Sequence, residues 1–229
     1  MKKFLSMLLI LAMIFTLTSC FGDTDEDIRG DIVNSGTEAD ETKNVAEDAE
    51  PEFSLGTSSG GAYHSDFVGL TITVPSEWMF YSDEEILALN NITEGYYDES
   101  TLEIIKNASL VYDMFAQNPL DGSSITVVLE KLNVLQIAAL DYKAIIENQY
   151  AAMRTTYENM GLTNIELSYD KVVVDGEEID AMVISADIYG LEYNAYSLMF
   201  RRGSYLVSIA VGAFGSDSAD NILTWLDFE

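Results

Sequence analysis

Two residues hold most of the chemistry open to this chain: Cys20, its one cysteine, and His64, its one histidine. A single thiol excludes an internal disulfide and any site built from several thiolates, and a single imidazole excludes paired-histidine zinc motifs. A serine or threonine nucleophile would have to use His64 as its base. Ser65 and Asp66 follow directly, but neighbours on a strand point to opposite faces, so the three form no relay as adjacent residues. Ser123, Ser124, Ser197 or Asp187 would have to approach through the fold, and none of these serines sits in a G-x-S-x-G elbow. His64 therefore reads as a hydrogen-bonded structural or surface residue. The competing reading is a cell-envelope hydrolase using His64 and carboxylates, which requires a concave pocket around them.

No metal or cofactor is expected. "DTDED" at 23–27 begins like a calcium loop, yet Ile28 stands where the turn glycine is needed and Asn34 where the closing glutamate belongs. "RGD" at 29–31 is a three-letter match of the kind that arises by chance. The charge balance is 11 Lys+Arg against 39 Asp+Glu, a net −28. Loss of residues 1–19, which hold Lys2 and Lys3 and no acid, would leave 9 − 39 = −30. A field of that sign repels phosphate backbones, so nucleic acid is excluded as an expected partner.

Cys20 gains meaning from what precedes it. Lys2 and Lys3 form a short basic start, and "FLSMLLILAMIFTL" is an apolar run of signal-peptide length, short of the roughly 20 residues of a membrane span. The run ends in Leu17, Thr18, Ser19 and Cys20. This resembles the bacterial lipobox, where small residues lead to a cysteine that becomes the acylated mature N-terminus. The resemblance implies an extracytoplasmic protein, lipid-anchored to a bacterial membrane, with membrane lipid as partner through acylated Cys20. Residues 1–19 are then a signal peptide. Residues 20–61, in which acids far outnumber Arg29 and Lys43 and which close on "GTSSGG", read as a disordered acidic linker.

From position 62 to 229 the pattern becomes that of a folded α+β domain. Leu70, Ile72 and Val74 alternate as a strand that Pro75 stops, and Ser82 with Glu85 forms a capping box for a helix reaching about Asn91. "SLVYDMFA" and "SSITVVLEKL" read as strands, and 141–160 as a long helix with Ile146, Tyr150, Met153 and Tyr157 on one stripe. Four strands follow, turning at Asp175-Gly176, near Gly190 and at Arg202-Gly203. "SDSADNILTWLDF" reads as a closing helix. Tight turns demand antiparallel strands, so the expected fold class is α+β, an antiparallel β-sheet of about six to seven strands flanked by helices. "FVGLTITVPSEW" followed by "SDEEILAL", with Pro75 and Trp78 as its firm points, resembles the opening of the PsbP-like sandwich. That fold occurs in the extrinsic photosystem II protein, in a Ran-binding nuclear import factor and in many bacterial lipoproteins of unknown role. None of the family's functional residues carries over.

Among recognition candidates, "GYYDES" offers Tyr96, Tyr97, Asp98 and Glu99 in a segment without packing period, and tyrosine is favoured at binding surfaces. "DGEEID" at 175–180 reads as a charged hairpin tip that discourages sheet pairing, and Trp78 as a core plug beneath the first helix. The expectation is a non-catalytic binding or assembly domain whose partner is an envelope protein or a small ligand.

Overall fold

The computed structural model describes residues 52–92, 99–215 and 218–229. Late in the chain, two-residue turns set the architecture. Asp175 and Gly176, and again Tyr189 and Gly190, all have positive φ, the condition for the tight turns whose twist suits a hairpin. They join β7 (Thr163–Val174), β8 (Glu177–Ile188) and β9 (Leu191–Arg202), and a third turn leads to β10 (Tyr205–Phe214). With β4 (Met79–Phe80), β5 (Leu110–Gln117) and β6 (Ser124–Lys131) they form an antiparallel sheet in the order β4-β5-β6-β10-β9-β8-β7. A second sheet has the order β1-β2-β3-β11, from β1 (Thr57–Ser59), β2 (Ala62–Ser65), β3 (Leu70–Thr73) and β11 (Leu226–Phe228).

Alternation along each strand divides the core in two. On one face of the large sheet Ile125, Val127 and Leu129 of β6 and Val207, Ile209 and Val211 of β10 belong to a buried cluster that includes Tyr63, Leu70 and Ile72 of the small sheet. Leu87 of α1 (Asp83–Leu89) and Ile222 of α5 (Ala219–Leu223) join it. On the other face Met182, Ile184, Tyr193 and Met199 meet Ile146, Met153 and Tyr157 of α4 (Tyr142–Asn159). α1 starts as its capping box dictates: the Ser82 hydroxyl accepts from the Glu85 N–H, and Glu85 accepts from the Ser82 N–H at 2.8 Å. The remaining helices are α2 (Glu99–Asn107) and α3 (Val134–Ala138).

The α+β class holds, and four details differ from expectation. The sheets number two, because the chain before β3 doubles back: the Gly69 N–H donates to Ser65 O, and the Ser65 hydroxyl accepts from the Val68 N–H. The closing helix is short, ending at Leu223, after which the chain extends and β11 pairs with β3. An edge strand offering unpaired main chain outweighed the helical spacing of Ile222, Trp225 and Leu226. α3 was not foreseen.

The fourth difference concerns where packing begins. The linker was expected to run to 61, yet within the described residues Phe53 already packs, its ring stacking on Tyr205 at 4.9 Å and meeting Phe67 at 5.3 Å. The chain thus enters at the end of the large sheet where β10 begins. The β5–β6 and β8–β9 turns lie at the opposite end, since Ser124 pairs with Gly212 and Tyr193 with Phe214. Exposed Leu120, Tyr189 and Leu191 stand at that far end.

Candidate functional site

The lipidation candidates Leu17, Thr18, Ser19 and Cys20 lie outside the described residues, as do Tyr96, Tyr97 and Asp98 of the recognition loop. Glu99 opens α2. Of the residues singled out for chemistry, the structure describes His64 fully.

His64 sits on β2 with the opposite orientation to the core residue Tyr63. Ser65 is buried on the far face and serves the turn, as strand alternation requires. Asp66, just past the strand, does reach back: its Oδ1 lies 3.0 Å from His64 Nε2. Across the sheet Thr71 Oγ1 lies 3.0 Å from Nδ1, and Glu229 Oε1 lies 3.5 Å from the same nitrogen. Hydroxyl, imidazole and carboxylate therefore do fall in line, drawn from β2, β3 and the turn between them rather than from adjacent residues. The chain of bonds is wet. The His64 side chain is 43% exposed and those of Asp66 and Glu229 are 89% and 55% exposed. Water competes for every contact, and an exposed imidazole–carboxylate pair contributes little. We expect His64→Ala to change unfolding free energy by less than about 0.5 kcal/mol in urea titrations.

The acidic hairpin tip is occupied by structural work. Asp175 accepts from the Phe228 N–H at 3.1 Å, tying the two sheets together, Glu178 pairs with Lys171, and Asp180 accepts from the Tyr169 hydroxyl at 2.6 Å. That hydrogen bond and the Asp180 charge hold the Tyr169 phenol above its ordinary pKa. Among the described residues no group of three or more His, Cys, Asp or Glu is placed to hold a metal ion. Trp78 is 5% exposed and meets Trp225 edge-on at 5.1 Å, within the cluster that contains Leu87 of α1, as a core plug should. Its indole N–H has no hydrogen-bond partner among the described residues.

Two features escaped the sequence. The first is a strip of small residues on the α4 side of the large sheet. One row across it reads Ser197, Ala210, Thr126, and the next reads Ala195, Gly212, Ser124. The signal was present in β10, where Val207, Ile209 and Val211 alternate with Ser208, Ala210 and Gly212. Part of the reason is steric: a Cβ on Gly212 would stand 2.7 Å from the Tyr193 hydroxyl. Ser197 is fully buried there, and its hydroxyl is unpaired among the described residues.

The second feature is Asp113. A bulge in β5 between Tyr112 and Met114 carries it, and it is 6% exposed. Its Oδ2 accepts from the Tyr63 hydroxyl at 2.5 Å and its Oδ1 from the Gly56 N–H at 2.8 Å. Burial pushes the carboxyl up to about 6, against the opposing pull of those two donors. Burial and the Asp113 charge likewise hold the Tyr63 phenol well above its ordinary value. An open cleft between the end of α4 and the start of β7, lined by Arg154, Glu158, Asn164 and Glu166, mixes both charges and selects no one ligand class.

No family model matches the chain, and no curated protein matches it. Among solved structures, a crystal structure from Bacteroides thetaiotaomicron VPI-5482 is similar at 12% identity and a TM-score of 0.37. The likeness covers 74% of this chain and 48% of that one, so the chain spans about half its length. LpqN, involved in cell envelope biogenesis of Mycobacterium tuberculosis, is similar at 11% identity and a TM-score of 0.34, over 68% of this chain and 75% of its own. No described helix is long and apolar enough to cross a membrane.

Proposed function

We propose that this chain is an extracytoplasmic bacterial lipoprotein, held to a membrane through acylated Cys20 and presenting a PsbP-like α+β domain for binding or assembly. One observation carries the reading: the only cysteine stands where an apolar run closes on Leu17, Thr18 and Ser19. The thiolate is the nucleophile that takes the lipid, and two or more acyl chains hold a protein firmly where one would not. The strand–Pro–x–x–Trp opening, the capped α1 and the late four-strand meander support the PsbP-like part. The open position of His64 favours a binding role over a hydrolytic one, since a relay in bulk water gives a nucleophile little activation. An envelope protein or a small neutral ligand is the partner such a domain would take.

Expression in a bacterial host with an alkyne-bearing palmitate tests the anchor. The wild type should incorporate the label, partition with membranes and yield a mature N-terminus at Cys20, and Cys20→Ala should abolish labelling. A mature product with a free thiol, or one that begins at another residue, would remove the basis for the anchor.

A further inference from the structure

We propose that residues 52–59 form a strap that closes over the Asp113 carboxyl in acid and loosens as the pH rises toward neutrality. The strap is the last stretch before the fold proper. Phe53 is wedged between Tyr205 and Phe67, the Gly56 N–H bonds Asp113, and β1 is exposed along its whole length. β1 pairs with β2, at the edge of the small sheet, so its removal leaves the large sheet intact. Opening it costs far less than global unfolding and gives Asp113 a path to water.

Closure requires the carboxyl to stay in the dry bulge. Among the described residues its surroundings offer two dipoles and no cation: Tyr63 from β2, Gly56 from the strap, and uncharged Val127 and Val128 from β6 opposite the bulge. Asn90 of the α1 C-cap engages the neighbouring Tyr112 main chain and is neutral. The strap's own charged residue, Glu52, is exposed and of the same sign as ionised Asp113. Protonated Asp113 sits in the bulge at no charge cost. Ionised Asp113 pays for burial, and opening the strap hydrates it. Because burial raises its pKa from 3.8 to about 6, the closed form binds the proton more tightly than the open one. Closure is then strongest below pH 3.8, weakens as the pH rises from 3.8 to about 6 and levels off above that, by up to about a hundredfold for complete rehydration, at tenfold per pKa unit.

Hydrogen exchange read by mass spectrometry, on the whole mature chain between pH 4 and pH 7 and corrected for intrinsic exchange, tests this. Protection of peptides covering 53–61 should fall by ten- to a hundredfold across that range, while peptides of β6 and β10, which exchange through global unfolding, stay far better protected than the strap at every pH. Asp113→Asn, which can accept from Gly56 and donate to Tyr63, should keep the strap closed at both ends. Tyr63→Phe removes a donor that favours the ionised form and should move the midpoint to higher pH. Constant protection in the wild type, or an equal fall in Asp113→Asn, would overturn the proposal. The readout lies within the folded domain and is independent of whether Cys20 carries lipid.

Discussion

Tyr63→Ala is expected to destabilise the domain by about 5 kcal/mol, close to the whole stability of an ordinary domain. Tyr63 is fully buried at the centre of the core between the two sheets. Truncating a buried aromatic costs about 3–5 kcal/mol through lost transfer energy and the cavity it leaves. Here the loss also strips Asp113 of its hydroxyl donor, and an under-satisfied buried acceptor costs about 1–3 kcal/mol more. Tyr63→Phe, which keeps the ring and removes only the donor, should cost about 1–3 kcal/mol. Urea unfolding followed by the fluorescence of Trp78 and Trp225 would separate the two. Gly56 supplies an internal check, because a Cβ there would lie 2.2 Å from the Tyr63 ring. Gly56→Ala should be destabilising in the wild type and much less so beside Tyr63→Ala, a non-additivity of about 1–3 kcal/mol. Additive costs would mean that the ring and the strap do not share their space.

The second large effect is a stability that declines as pH rises. Between 3.8 and about 6 the folded chain retains a proton on Asp113 that the unfolded chain has released. Where the native state binds more protons, unfolding free energy falls with increasing pH. A shift of this size corresponds to about 3 kcal/mol, present in acid and gone above pH 6. The net charge of −28 acts in the same direction through self-repulsion, so the wild-type slope alone does not isolate Asp113. Its difference from Asp113→Asn does. The variant should match or fall below the wild type near pH 4 and exceed it by about 3 kcal/mol at pH 7.5. Parallel curves for the two proteins would show that Asp113 is not titrating from its buried position.

Local signals were legible wherever a short stretch of chain decides its own structure. α4 was visible because Asp141 caps it, an apolar stripe runs along it and Gly161, at φ +90°, ends it. The β7–β8–β9 meander was visible because Asp175-Gly176 and Tyr189-Gly190 allow only tight reversals. The β2–β3 hairpin was missed because its turn depends on a serine hydroxyl bonding its own neighbourhood, with no glycine–asparagine signal. β11 was missed because pairing with a distant edge chose its conformation. Asp113 looked like an ordinary polar residue in a strand. Its meaning comes from Tyr63 and Gly56, 50 and 57 positions away, and no pattern within one segment encodes such a meeting. The same holds for His64, whose bonds to Thr71 and Glu229 exist only once the small sheet has assembled.

The point of entry beside Tyr205 also assigns the domain a bearing. On the proposal that Cys20 carries lipid, the chain joins the membrane to the domain at the edge where β10 begins, beside Phe53. The rim bearing Leu120 at 84% exposure, Tyr189 at 75% and Leu191 at 53% then points outward. Whatever approaches that rim meets those three side chains first, with Asp121, Asp187 and Glu192 close to them in sequence.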